Sequence, residues 1–133
     1  MKGWLFNNVD FWTLPAIEAY LSGVANDKMM ILDLWSDVNP IYEKTNSYFG
    51  KPFVWCMLHD FGGNRALFGD IDYIATTPIL VQERGYTIVG TGLTMEAIEQ
   101  NPIMYELMNE MGWRSGKKKK NKKKIKFMNL FRF

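Results

Sequence analysis

Two runs of residues constrain this chain more than anything else in it. Residues 29–35 (MMILDLW) and 52–58 (PFVWCML) are apolar almost throughout, the first broken only by Asp33. A strand with one wet face alternates apolar and polar residues. A strand buried on both faces does not, and such strands belong to parallel sheets flanked by helices. The second run is also rich in β-formers. Residues 87–90 (TIVG) predict a third strand.

Helical signals separate the runs. Thr13 is a good N-cap with Pro15 in the first turn, predicting a helix to about Gly23 with Ala16, Ala19, Tyr20 and Val24 on its apolar face. A helical stretch is expected from about Asp70 to Gln82, interrupted at Pro78 and ended by Gly85. Thr94 predicts a short helix over 95–100. Asn101-Pro102 starts another, with Ile103, Leu107 and Met111 on one face and Gly112 as a left-handed stop. Strands alternating with helices imply parallel pairing and right-handed crossovers. A closed (β/α)₈ barrel needs roughly 250 residues, and this chain has 133. The expected fold class is therefore α/β, part of a sheet or barrel that lacks strands.

Charge divides the chain. Of its 16 Lys and Arg, 10 lie in 114–133, which holds no acid, so the body carries −8 and the tail +10. The body, 15% of the whole being aromatic, is too rich in large side chains for disorder. The tail is expected to be a solvated, disordered segment, and a lone Lys run is weak support for nucleic-acid binding. Cys56 is alone, so no intrachain disulfide is possible. Residues 1–8 are too short and mixed for a signal peptide, and no apolar run reaches the 18 residues of a membrane span.

Polar groups gather where strands are expected to end: Asp33 and Asp37, then His59 and Asp60, then Glu96. In parallel barrels that is the active face. Each has an ordinary structural alternative. Aspartates cap turns, a lone His is commonly a hydrogen-bonded loop residue, and Glu96 sits where a carboxylate would stabilise a helix start. Asp60-Phe61-Gly62 is not a kinase motif, since the other kinase signatures are missing, and Gly90-Thr91-Gly92 lacks the third glycine of a dinucleotide fingerprint. One His and one Cys cannot make a zinc site, and no cofactor is implied. Cys56, inside an apolar strand, reads as a small hydrophobe. Trp35, Trp55 and Phe61 fall near the same strand ends. An aromatic ring beside carboxylates suits a sugar, which stacks its C–H face and offers its hydroxyls.

The phrases 52–64 (PFVWCMLHDFGGN) and 89–101 (VGTGLTMEAIEQN) closely resemble glycoside hydrolase family 89, the α-N-acetylglucosaminidases. Residues 32–34 (LDL), 40–42 (PIY) and 110–113 (EMGW) match in the same order. The resemblance runs from about Trp4 to Trp113. It implies a (β/α)₈, TIM-type barrel and retaining exo-hydrolysis of terminal α-linked N-acetylglucosamine, as in heparan sulfate degradation, by two glutamates. It places the nucleophile at Glu96 and apolar pocket positions at Leu34 and Leu58. With the strand-end aromatics and polar groups, the expected substrate-binding set is Leu34, Trp55, Leu58 and His59, with no metal. The family's acid/base glutamate and its helical domain lie outside this chain. The expected division is thus 1–113 as the C-terminal portion of the barrel and 114–133 as tail. Expected partners are the glycan and the remainder of the barrel, not nucleic acid or membrane. Family members act in lysosomes or outside cells. Two further readings stay open: a non-catalytic remnant, and a small basic-tailed binding module.

Overall fold

The computed structural model describes residues 1–61, 65, 67–96 and 98–114, and the backbone of 126–127. Four strands, β1 (Ile31–Asp33), β2 (Phe53–Met57), β3 (Ile88–Leu93) and β4 (Lys126–Phe127), form one sheet in sequence order. Every pairing is parallel. The first two strands are shorter than the apolar runs that announced them. The third extends past the expected 87–90 to Leu93, with Gly90 opposite Val54 and Gly92 opposite Cys56.

Alternation along β2 defines two faces. Phe53, Trp55 and Met57 enter the main core with Ile31, Ile88 and Leu93. Val54 and Cys56 form a smaller cluster with Leu34, against which Met30 and Leu32 pack. Helices cover the first face: α1 (Leu14–Ser22) through Ile17 and Leu21, α4 (Ile71–Glu83) through Ile74 and Val81, and α5 (Pro102–Met111) through Met104 and Met108.

The caps are as expected. Thr13 Oγ1 accepts from Ala16 N at 3.4 Å and Asn101 Oδ1 from Ile103 N at 3.1 Å. The buried faces are not. In α1, Tyr20 leans on the Trp12 ring at 5.3 Å while Ile17 and Leu21 turn inward. In α5, Met111 is buried and Leu107 packs on the core, as expected, but Ile103 is exposed and Met104, Tyr105 and Met108 are buried. The fixed cap sets the phase of a short helix whose apolar residues surround it. Pro78 does not interrupt α4; it is buried within it. Gly85 ends α4 at φ +86, whereas Gly112 ends α5 at φ −60, right-handed rather than left-handed.

Two short elements link β1 to β2. The first, α2 (Ile41–Lys44), has Pro40 at its N-cap with no side-chain bond of its own. Asp33 supplies it instead: its Oδ2 accepts from Ile41 N at 3.1 Å and Tyr42 N at 3.0 Å. The second, α3 (Asn46–Gly50), winds left-handed, with φ of 44, 63, 52 and 55° from Asn46 to Phe49. Non-glycine residues in this conformation cost roughly 1–2 kcal/mol each. Burial of Tyr48 and a bond from Thr87 N to Ser47 Oγ at 3.0 Å hold the turn.

Both sheet edges carry backbone. On the β1 side, Lys2 bridges Leu32, and Leu32 N donates to Met1 O at 2.6 Å. On the β3 side lies β4, which belongs to the Lys-rich tail. The expectation of disorder for the rest of the tail lies outside the described residues. Deleting 114–133 uncovers Gly90 and Thr91 at an apolar edge. Residues 1–113 are expected to bind ANS more strongly than the whole chain and to lose near-UV dichroism. Identical cooperative melts of the two would show that β4 covers nothing that matters.

Candidate functional site

The carboxyl ends of β1, β2 and β3 meet, and three hydrogen-bonded devices hold them there. Asp37, just beyond β1, accepts from Leu58 N at 3.0 Å and His59 N at 2.9 Å. That clamp fixes the chain leaving β2, where His59 takes a positive φ of 64°. Ser36 N donates to Cys56 O at 3.0 Å, tying β1 to β2. Thr94, just beyond β3, donates its N–H to Met57 O at 3.0 Å. Its hydroxyl lies 2.7 Å from Leu34 O and 3.2 Å from Met57 O, so one threonine stitches all three ends.

Above this knot opens a cleft of about 400 Å³ lined by Trp4, Leu34, Trp35, Leu58, Phe61 and Glu96. Five of the six linings are apolar or aromatic, and Glu96 is the only acid among them. Glu96 is exposed, and its backbone bridges Phe61 in parallel. The described residues of the helix expected over 95–100 are not helical. Within that segment Glu99 sits at φ 64°, and Glu96 therefore has no helix N-terminus beneath it. An exposed carboxylate on a cleft lined by aromatic rings can attack an electrophilic carbon or accept from hydroxyls.

Leu34, Leu58 and Glu96 thus converge. Trp55 and His59, also in the expected substrate set, do not line this cleft. Trp55 is 0% exposed and points to the helix-covered face, its ring 6.4 Å from Tyr73. An indole sealed there fills core volume and cannot stack a sugar. Trp55→Ala is expected to cost about 3–5 kcal/mol of stability, measurable as a lowered denaturant midpoint. An unchanged midpoint would show that the ring packs nothing.

His59 borders a separate polar cavity of about 230 Å³ with Asp37, Arg65, Asp70 and Tyr73. Its ring meets Tyr105 edge-on at 5.9 Å, and Nε2 has no partner among the described residues. Burial, helped by Arg65, pushes its pKa below the usual histidine value, which keeps it neutral near pH 7. Burial also pushes the Cys56 thiol far up, so it stays protonated and inert. Among the described residues no three His, Cys, Asp or Glu side chains gather to hold a metal. No helix among the described residues is long and apolar enough to cross a membrane.

Sequence reading missed Trp4, Thr94 and the clamp by Asp37. Trp4 reaches the cleft because the Lys2–Leu32 bridge lays the first residues along β1. No local pattern announces that pairing.

Comparison with known proteins bears on the same residues. The family model "Alpha-N-acetylglucosaminidase (NAGLU) tim-barrel domain" matches residues 1–115. The human protein named alpha-N-acetylglucosaminidase is 42% identical over 116 residues, which is 86% of this chain but 16% of the human protein. The chain also superposes on a family 89 glycoside hydrolase from Clostridium perfringens, solved in complex with PUGNAc. There the TM-score is 0.69 and the identity 32%, over 85% of this chain and 12% of that one. The open four-stranded sheet is accordingly a portion of a TIM-type barrel, and the chain spans only a small part of the length of the relatives it matches. The chain belongs to the α-N-acetylglucosaminidase TIM-barrel family of glycoside hydrolases.

Proposed function

We propose that this chain supplies the nucleophile-bearing portion of a retaining exo-glycosidase acting on terminal α-linked N-acetylglucosamine. Support comes above all from one observation: a single acidic side chain, Glu96, lines an otherwise apolar and aromatic cleft at the strand ends. Retention needs two carboxyl groups about 5–5.5 Å apart, one ionised to attack the anomeric carbon and one protonated to assist the leaving oxygen. Glu96 takes the first role. Its carboxylate forms a bond to the anomeric carbon as the glycosidic C–O bond breaks. The leaving oxygen takes its proton from an acid on the upstream part of the barrel. Water then releases the sugar from Glu96. Trp4, Trp35 and Phe61 offer ring faces to the sugar, while Leu34 and Leu58 shape an apolar wall.

Among the described residues no second carboxylate lines the cleft, which favours a second reading of the isolated chain as a binding remnant without turnover. Heparan sulfate or related glycans as substrate, and a lysosomal or extracellular site of action, go with the family reading.

The test supplies the chain with the upstream barrel portion of the human relative, in cis or in trans. Hydrolysis of an aryl α-N-acetylglucosaminide with net retention, followed by NMR of the first-formed anomer, is the expected result. An assembled complex that gives the inverted anomer, or no hydrolysis, removes the proposal.

A further inference from the structure

We infer that Gln100 is a positioning residue that fixes the main chain of Glu96 against the end of β2. The inference rests on the proposed role of Glu96 for its catalytic consequence but on geometry for its substance. The described residues of 95–100 are not helical, so the carbonyl of Glu96 has no i→i+4 partner from the backbone. The side chain of Gln100 replaces it. Its Nε2 lies 2.5 Å from Glu96 O and 3.2 Å from Asp60 O. Two carbonyls facing one nitrogen require two N–H donors, which an amide has and a carboxylate lacks. The orientation of the amide is set from the other side. The Tyr105 hydroxyl, on α5, has one proton and faces two acceptors, Gln100 Oε1 and, at 3.0 Å, Leu58 O, so the proton is shared between them. Tyr105 is 7% exposed, so its phenol has few other partners to turn to. The chain of contacts runs from the end of β2, through Tyr105 and Gln100, to Glu96, beside the backbone bridge from Phe61 to Glu96. It braces a segment that is otherwise irregular and exposed.

Two measurements test this. In the 133-residue chain, Gln100→Glu should speed amide exchange at Met95, Glu96 and Ile98 by about tenfold or more, with β2 amides at Val54 and Trp55 unchanged. In the completed barrel, Gln100→Glu should lower kcat about 10- to 100-fold with KM within about threefold, because misplacing a reacting group slows chemistry more than binding. Tyr105→Phe, nearly isosteric, should move both readouts in the same direction by less. Unchanged exchange at the three positions overturns the inference. So does faster exchange that spreads to β2, since Gln100 then supports the fold rather than the loop. Unchanged kcat beside an inactive Glu96→Gln reference overturns its catalytic consequence. If Glu96→Gln is itself active, the nucleophile assignment fails, and the exchange measurement alone decides the brace.

Discussion

Glu96→Gln in the completed barrel should lower hydrolysis of even an activated aryl substrate by at least about 10³-fold. A neutral amide cannot form the covalent glycosyl intermediate, and an activated leaving group relieves only the need for the acid. Glu99→Gln should keep most activity. Glu99 is three residues on, exposed, turned by its own positive φ, and absent from the cleft lining. The contrast between two glutamates of one loop separates a role in chemistry from a general effect of charge. Azide adds a second, independent readout. With Glu96→Ala it should enter the vacated space and give the glycosyl azide of inverted configuration, since one displacement replaces two. Near wild-type turnover by Glu96→Gln would mean that the nucleophile lies elsewhere and that Glu96 only borders the pocket.

What could be read from residues alone was local or binary. Caps at Thr13 and Asn101 are short-range chemistry, and both form as written. Strand identity in 29–35 and 52–58 followed from continuous apolarity. The same continuity hid the phase. A period of 2 groups Trp55 with Phe53 and Met57, on the side away from Leu58, but when both faces are apolar it does not say which face meets the helices. Gly90 and Gly92 give no sign that the strand runs on to Leu93, because glycine is poor in strands. Their pairing opposite Val54 and Cys56 is a long-range fact. The left-handed turn at Asn46–Gly50 carries a single glycine at its end, and its other positions depend on Tyr48 being pulled into the core. The cleft was readable only as the positions a family resemblance names, Leu34, Leu58 and Glu96, which the fold brings together. It was not legible at Trp4, Thr94 or Gln100, whose roles depend on partners up to 60 residues away.

Asp33 should make the chain more stable in mild acid than at neutrality. It is 1% exposed, and burial pushes its pKa up to about 6 against the pull of the Tyr42 and Ile41 amides. The folded state therefore binds the proton more tightly than the unfolded chain, whose aspartate titrates near 3.9. Between those values the native state holds a proton that the unfolded state has lost, so unfolding free energy falls as pH rises. The stabilisation is complete below about pH 4 and lost as pH passes 6, amounting to roughly 3 kcal/mol. Asp37, raised by the same cause, acts in the same direction. His59 acts oppositely: its lowered pKa means that acid favours the unfolded chain, which takes up that proton first. The comparison that isolates Asp33 is wild type against Asp33→Asn, which keeps an oxygen for the amides of Ile41 and Tyr42 and cannot ionise. The melting temperature of wild type relative to the variant should drop by roughly 10 °C between pH 4 and pH 7. The variant's own pH profile should keep the contributions of His59 and Asp37. A constant difference across that range would show that Asp33 is ionised in the fold throughout, held by its two amide donors despite its burial.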